Sequence, residues 1–424
     1  MIKLKINLKE KNKYDFFQIV LIYTSYLLVV LTALWIGFYF LQHGLFLEKT
    51  SDIFDKLINW DANWYKSIAI NGYEFGKDYI VKQYNIAFFP LYPLIERLMY
   101  TIFHNWNNVY MILPSFFFGF LSIILFYKLV DLLFEKRETV FISTIAYALY
   151  PASMFFLSGY PVSIINLLTI ITLILLLKKR YWASAFIAGL NTASGPLPFF
   201  LSIVVCIAYI IDINNQNKLR YENNSPYNLL NFRNILYLFV FLIVSFSGIL
   251  CFTIYQYFVF GNPLDFIRAQ DAWGSLSKKQ HLINIINLYS IYGGDKLSRS
   301  GFLLSLSFST VIQELRNNIQ FGFEWTVNGL NLILMAYLTW KQRKIKKWFF
   351  TLFGLLIISF YILLHGSVMG PNDTLRLLYL DIPAFIGVGV IYEENPPFSF
   401  FIILLFSILL FLQTAFFVGG YWIN

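Results

Sequence analysis

Apolar side chains in this sequence come in long runs rather than in alternation. The runs lie at about 16–41, 109–134, 139–157, 161–177, 181–211, 235–260, 323–340, 348–365, 376–392 and 398–418. Most approach the roughly 20 residues that a helix needs to cross the hydrocarbon core of a bilayer. The pattern predicts an all-α, polytopic transmembrane protein with about nine to eleven membrane helices. The run at 16–41 is too long for the apolar region of a signal peptide and leads into no small-residue cleavage pattern, so it reads as a retained first helix. The stretch 181–211 exceeds one span and is cut by Gly195-Pro196-Leu197-Pro198. It predicts two short helices that meet at a break and enter and leave on the same side. Irregular backbone at that depth survives only where protein or a wet cavity surrounds it, which makes the break a pointer to a functional cavity.

Composition strengthens this picture. Of 424 residues, 58% are hydrophobic and only 13% charged, against about 45–50% and about 25% in soluble domains. Too few polar side chains exist to cover a soluble core, and the chain is too apolar for disorder. It reads as one integral-membrane domain, 1–424, with two long outer loops at 43–108 and 261–320. Loops of that length tend to carry function.

The formal net charge of +9 is explained by placement. With the N-terminus in the cytoplasm, the inner segments 1–15, 135–138, 178–180, 212–234 and 341–347 hold 18 Lys and Arg in 52 residues. The outer segments 43–108, 261–320 and 366–376 hold 13 in 137. Such a bias is the positive-inside signal, so the basic character implies no nucleic acid. Cys206 and Cys251 both sit in apolar runs, which excludes a disulfide framework, and the four histidines show no metal-ligand spacing. No metal site and no cofactor are expected, and the sequence leaves a divalent metal open.

The first outer loop carries the candidate chemistry. Trp60-Asp61-Ala62-Asn63-Trp64-Tyr65 opens a short amphipathic helix with Asp61 as a natural N-cap and Gly72 as its stop. Trp64, Tyr65, Ile68 and Ala69 form an apolar face suited to the membrane interface. Asp61 would then stand where water, headgroups and apolar side chains meet. Burial there would raise its proton affinity toward that of a general base at neutral pH. The alternative is a residue that only caps its helix.

These residues resemble a known family. Trp60-Asp61-Ala62-x-Trp64-Tyr65-x-x-Ile68-Ala69-x-x-Gly72-Tyr73, followed by Phe88-Phe89-Pro90-Leu91-Tyr92-Pro93, is similar to the PIG-V-type mannosyltransferases of the glycosyltransferase-C superfamily. The resemblance continues through Phe260-Gly261-Asn262-Pro263-Leu264-Asp265-Phe266-Ile267-Arg268-Ala269-Gln270-Asp271-Ala272-Trp273-Gly274 and into Arg376-Leu377-Leu378, Pro383 and Gly420-Tyr421-Trp422. It implies a hexose, mannose in the family, moved from a polyprenyl-phosphate donor to a lipid or glycan acceptor hydroxyl on the outer face. The small size implies a bacterial plasma membrane. Asp61 would be the base of an inverting transfer, and Arg268 and Arg376 would hold the donor phosphate. Trp60, Tyr65, Tyr92, Gln270 and Trp273 would contact substrate, with interfacial anchoring as the plainer role of the aromatics. Two family positions differ. A carboxylate that follows the Tyr near 160 is Val162 here, and an Arg in the re-entrant helices is replaced within Ser194-Gly195-Pro196. A catalytically degenerate relative that binds lipid-linked sugar or a partner protein is therefore the alternative. A transporter is a third, against which stand the few central charges and the absence of repeated halves.

Overall fold

A computed structural model describes residues 8–41, 52–80, 82–104, 107–222, 232–273, 319–365 and 374–420. Among them there is no strand, and every apolar run holds helix. The helices are α1 (Leu8–Phe40), α2 (Asp61–Asn71), α3 (Leu91–Phe103), α4 (Asn108–Asp131), α5 (Arg137–Ala148), α6 (Val162–Leu177), α7 (Tyr181–Asn191) and α8 (Pro198–Glu222). They continue with α9 (Phe232–Ser245), α10 (Ser247–Phe260), α11 (Asp265–Arg268), α12 (Ile319–Gln342), α13 (Trp348–Phe360), α14 (Thr374–Leu378), α15 (Ile382–Glu394) and α16 (Pro396–Val418). Four described helices, Tyr14–Phe40, Asn108–Asp131, Pro198–Asn215 and Pro396–Val418, are long and apolar enough to cross a membrane. Two bent pairs raise this to six: Arg137–Ala148 with Pro151–Leu157 at 69°, and Ile235–Ser245 with Ser247–Phe260 at 73°. Helices α6 and α13 are apolar but shorter. The break expected near Gly195 falls between α7 and α8, but α8 is a 25-residue helix, not a short one.

Among the described residues, several segments that charge assigns to one side pack together. At one end, Arg137 bridges Asp15 and Asp131 at 2.8 and 2.6 Å. Thr139 donates to Glu393, and Lys341 and Lys344 both pair with Glu394. At the other end the first outer loop packs on the residues before α6. Gly159 N donates to Leu57 O at 3.3 Å, and Tyr160 Oη donates to Asn59 O at 3.1 Å. The α7–α8 break also belongs to this end, where Leu91 N donates to Ala193 O at 2.8 Å.

A stack of buried aromatics lies between the two ends. The Tyr147 ring lies 4.6 Å from Phe126 and 5.0 Å from Tyr379, which in turn stacks 5.0 Å from Tyr150. Tyr379 Oη donates to Tyr147 O at 2.9 Å. The stack fixes the chain just after α14, and this is the element that carries Arg376.

Candidate active site

Helix α2 starts on Asp61 itself, with Trp60 in the cap position and no side-chain cap. Asp61 is thus not the N-cap that the sequence predicts. Its Oδ2 accepts a 2.7 Å hydrogen bond from the Nη1 of Arg376, 315 residues away. A charge-assisted bond of this kind outweighs a contact with the helix's own backbone amide. The pair is largely buried, with side-chain exposures of 15% for Asp61 and 18% for Arg376. The residue before it is strained: Trp60 sits at φ +56° and ψ −120°, a conformation that costs a non-glycine residue roughly 1–3 kcal/mol and tends to occur at functional sites. At the other end of α2, Gly72 stops the helix at φ +85° as expected, its N–H donating to Ile68 O.

Arg376 has a second environment. Its guanidinium carbon lies 5.4 Å from the ring centroid of Tyr160 and 5.9 Å from that of Phe155. Both rings are almost fully buried. The Tyr160 ring is held on the first loop by its bond to Asn59 O, and its carbonyl accepts from Ser115 Oγ at 3.0 Å. The site is thus assembled from α2, α14 and the turn before α6.

The other sequence-predicted residues are spread around this pair. Tyr65 is buried and packs edge-on against Phe88 and Tyr92, with centroids 5.2 and 5.5 Å apart. Tyr92 is fully buried, its hydroxyl held by Met111 O and Ser115 Oγ, so it supports the site from within. Arg268 is engaged elsewhere. Its Nη1 donates to Asp265 Oδ1 at 3.0 Å, its Nη2 donates to Tyr79 Oη at 3.1 Å, and its guanidinium lies over the Tyr79 ring. Burial pushes the Asp265 carboxyl up, against the pull of Arg268. Gln270 Nε2 approaches Ala87 O at 3.4 Å. The side chain of Trp273 lies outside the described residues. Of the two predicted phosphate binders, the structure brings Arg376 to Asp61.

One residue escaped the sequence reading. Glu96, on α3, is 1% exposed, and neither carboxyl oxygen has a hydrogen-bond partner. Burial pushes its carboxyl well above the usual carboxylate range, with the Lys66 charge pulling the other way. A Cβ on Gly159 would lie 3.8 Å from Glu96 Oε1, 3.2 Å from Ala62 Cβ and 2.6 Å from Ile58 Cδ1, so Glu96 lies behind the residue that follows Asp61. Lys66, the nearby cation, donates instead to Asn108 Oδ1 at 2.7 Å, and Asn108 donates to Asp55. The signal was present: Glu96 is four residues from Tyr92, on the same face of a helix.

The α7–α8 break, where Gly195 stands, is hydrogen-bonded to α6, the helix that Val162 begins. Asn191 Nδ2 donates to Ile165 O at 3.2 Å and Thr169 Oγ1 at 3.1 Å, and Ser194 Oγ donates to Asn191 Oδ1. A Cβ on Gly195 would lie 3.4 Å from Ile165 Cδ1. A neutral network thus joins the start of α6 to the α7–α8 break. Among the described residues no three His, Cys, Asp or Glu gather as metal ligands.

A family model described as mannosyltransferase (PIG-V) matches residues 41–292, well over half of the chain. No curated protein matches. Among solved structures, the apo oligosaccharyltransferase of Archaeoglobus fulgidus aligns with a TM-score of 0.43 and 13% identity, over 93% of this chain and 56% of that one. The enzyme from the same organism in complex with an inhibitory peptide and a dolichol-phosphate gives 0.39 and 14%, over 94% and 56%. The chain spans little more than half the length of these structures.

Proposed function

The chain belongs to the PIG-V mannosyltransferase family, and on that premise we propose that it is an inverting membrane glycosyltransferase. It moves a hexose, mannose by family, from a polyprenyl-phosphate donor to an acceptor hydroxyl. The site faces the extracytoplasmic side, and the N-terminus is cytoplasmic. A lipid-linked donor accounts for a transferase embedded among apolar helices.

Asp61 acts as the base. It takes the proton of the acceptor hydroxyl as that oxygen attacks the anomeric carbon, and the bond from that carbon to the phosphate oxygen breaks with its electron pair going to the phosphate. One carboxylate suffices for such a single displacement, whereas a retaining reaction needs a second as nucleophile. The leaving phosphate gains negative charge, and a guanidinium placed beside it stabilises that charge more in the transition state than in the ground state. Arg376 is that guanidinium.

The observation that carries this reading is the 2.7 Å pairing of Asp61 with Arg376. A base and a phosphate-binding cation, singled out on separate outer segments, meet at one point behind a strained Trp60. The test is hexose transfer by the purified protein from polyprenyl-phosphate donors, wild type against D61N. General-base catalysis contributes about 10²–10⁴-fold, so D61N should lose that much. Equal rates would remove Asp61 from the mechanism.

A second reading, a non-catalytic relative that binds lipid-linked sugar, is favoured by the neutral Asn191–Thr169–Ser194 network beside Gly195, near which the resemblance leads one to expect an arginine. Wild-type protein that binds such donors but transfers nothing would support it.

A further inference from the structure

Arg376 is paired with Asp61 in the structure, and we infer that it is exchanged between Asp61 and the donor: the donor's anionic phosphate competes with the Asp61 carboxylate for the guanidinium, and by drawing it away makes the carboxylate available to the acceptor. The inference rests on the reading of donor and base given above.

Three observations lead to it. First, Asp61 Oδ2 already accepts a 2.7 Å bond from Arg376, so one of the two oxygens that could take the acceptor's proton is held by a cation. Second, both side chains are more than four-fifths covered. In so little solvent, a phosphate arriving beside a carboxylate meets weakly screened repulsion, and the guanidinium is the charge that can offset it. Third, Arg376 is also held through its π face, over Tyr160 and Phe155. A cation held by ring faces keeps that contact while its N–H edge turns from one acceptor to another. The partner rings are themselves fixed, Tyr160 by Asn59 O and Phe155 by a ring contact with Tyr160 at 4.6 Å.

The charge balance of the reaction runs in the same direction. At the start the negative charge is on Asp61 and on the phosphodiester. As the acceptor O–H bond breaks, the proton neutralises Asp61. As the anomeric C–O bond breaks, its electron pair adds a negative charge to the phosphate. One unit of negative charge therefore moves from Asp61 to the leaving group, where Arg376, drawn to the phosphate by donor binding, already stands. An arginine already beside the leaving phosphate stabilises the charge that grows there more than the charge present at the start, which is the differential binding that accelerates a step. It also makes the phosphate itself a determinant of specificity. A neutral polyprenyl lipid lacks the charge needed to draw Arg376 from Asp61.

Binding of polyprenyl monophosphate to the purified protein tests this without turnover, in a four-way comparison of wild type, D61N, R376Q and D61N/R376Q. A polyprenol of the same length serves as control. Removing the competitor should tighten phosphate binding in D61N by roughly tenfold or more, the worth of a charge-assisted hydrogen bond. The same change made in R376Q should give a clearly smaller gain, since only the repulsion between carboxylate and phosphate is then relieved, and polyprenol should bind all four alike. A D61N gain that persists undiminished in R376Q would mean plain repulsion between carboxylate and phosphate, and would overturn the exchange. So would a D61N variant that binds no tighter than wild type. If R376Q fails to fold, R376K replaces it, and the D61N gain should shrink severalfold because an ammonium lacks the planar fork; an unchanged gain overturns the exchange. Absence of any phosphate binding would sink both the exchange and the donor reading. Coupled binding with no hexose transfer would sink the donor reading's chemistry alone.

Discussion

Replacing Glu96 by glutamine should stabilise the protein, by an amount that grows as the pH rises from about 4.5. The carboxyl is 1% exposed with two unpartnered oxygens, and its folded proton affinity lies well above the ordinary value of 4.5 because of burial. The sign follows from proton counting. Below pH 4.5 both folded and unfolded chains carry the proton, and Glu96 adds no pH dependence. Above it the unfolded chain gives up the proton while the folded one keeps it. Folding then becomes less favourable by about 1.4 kcal/mol for each pH unit until the folded value is reached. A glutamine side chain has no proton to lose and should remove that slope. The charge of Lys66 works against the effect, but its ammonium is bonded to Asn108 and does not pair with Glu96. Thermal unfolding of wild type and E96Q in one detergent, from pH 4.5 to 7.5, measures the difference. The two curves should meet at the acid end and diverge toward neutrality. Parallel curves would refute the reasoning, since they would mean that Glu96 finds a partner or water in the folded protein.

Gly159→Ala should destabilise by about 1–3 kcal/mol, because the added Cβ meets Ile58 Cδ1 at 2.6 Å and Ala62 Cβ at 3.2 Å; a lowered melting temperature checks it. Arg376→Ala should slow transfer by about ten- to hundredfold, and more than Arg268→Ala, whose guanidinium is committed to Asp265 and Tyr79; the rates of both variants measure the order. In a background lacking Cys206 and Cys251, an impermeant thiol reagent applied from outside should label a cysteine at position 77 and spare one at 344. The reverse pattern would overturn the orientation.

Much of the architecture was legible because membrane helices declare themselves by run length, and each of the ten apolar runs contains helix. The grouping of the ends was legible too, since Lys341, Lys344 and Arg137 sit where the basic residues cluster and find Glu394, Asp15 and Asp131 there. Local chemistry predicted that α2 would stop at Gly72, because only glycine takes φ +85° without strain. The same local reasoning misplaced Asp61 as a cap. Capping is a contest between backbone amides and any stronger donor, and the stronger donor lies 315 residues away. Long-range pairing of this kind leaves no trace in spacing. Glu96 was missed for a different reason: a carboxylate in an otherwise apolar helix face reads as the exposed edge of that face, whereas α3 turns it inward with Tyr92.

The replaced family positions bear on whether the site can work. The start of α6 and the α7–α8 break are joined by Asn191, Thr169 and Ser194, all buried and all neutral. If relatives hold an acid near 162 and an arginine near 195, the hydrogen bonds from Asn191 to α6 bring those two stretches of chain toward each other. Removing one member of a buried pair costs about 3–5 kcal/mol, because it strands the other charge, while removing both together is often close to neutral. On that condition, a chain with neither charge, and with amide and hydroxyl groups bonded to one another nearby, has followed the less costly path. It has done so without disturbing the balance at Asp61 and Arg376, where each charge still has its opposite at 2.7 Å. The proposed base and the leaving-group cation thus remain paired, so the D61N comparison retains its power to separate an enzyme from a silent relative.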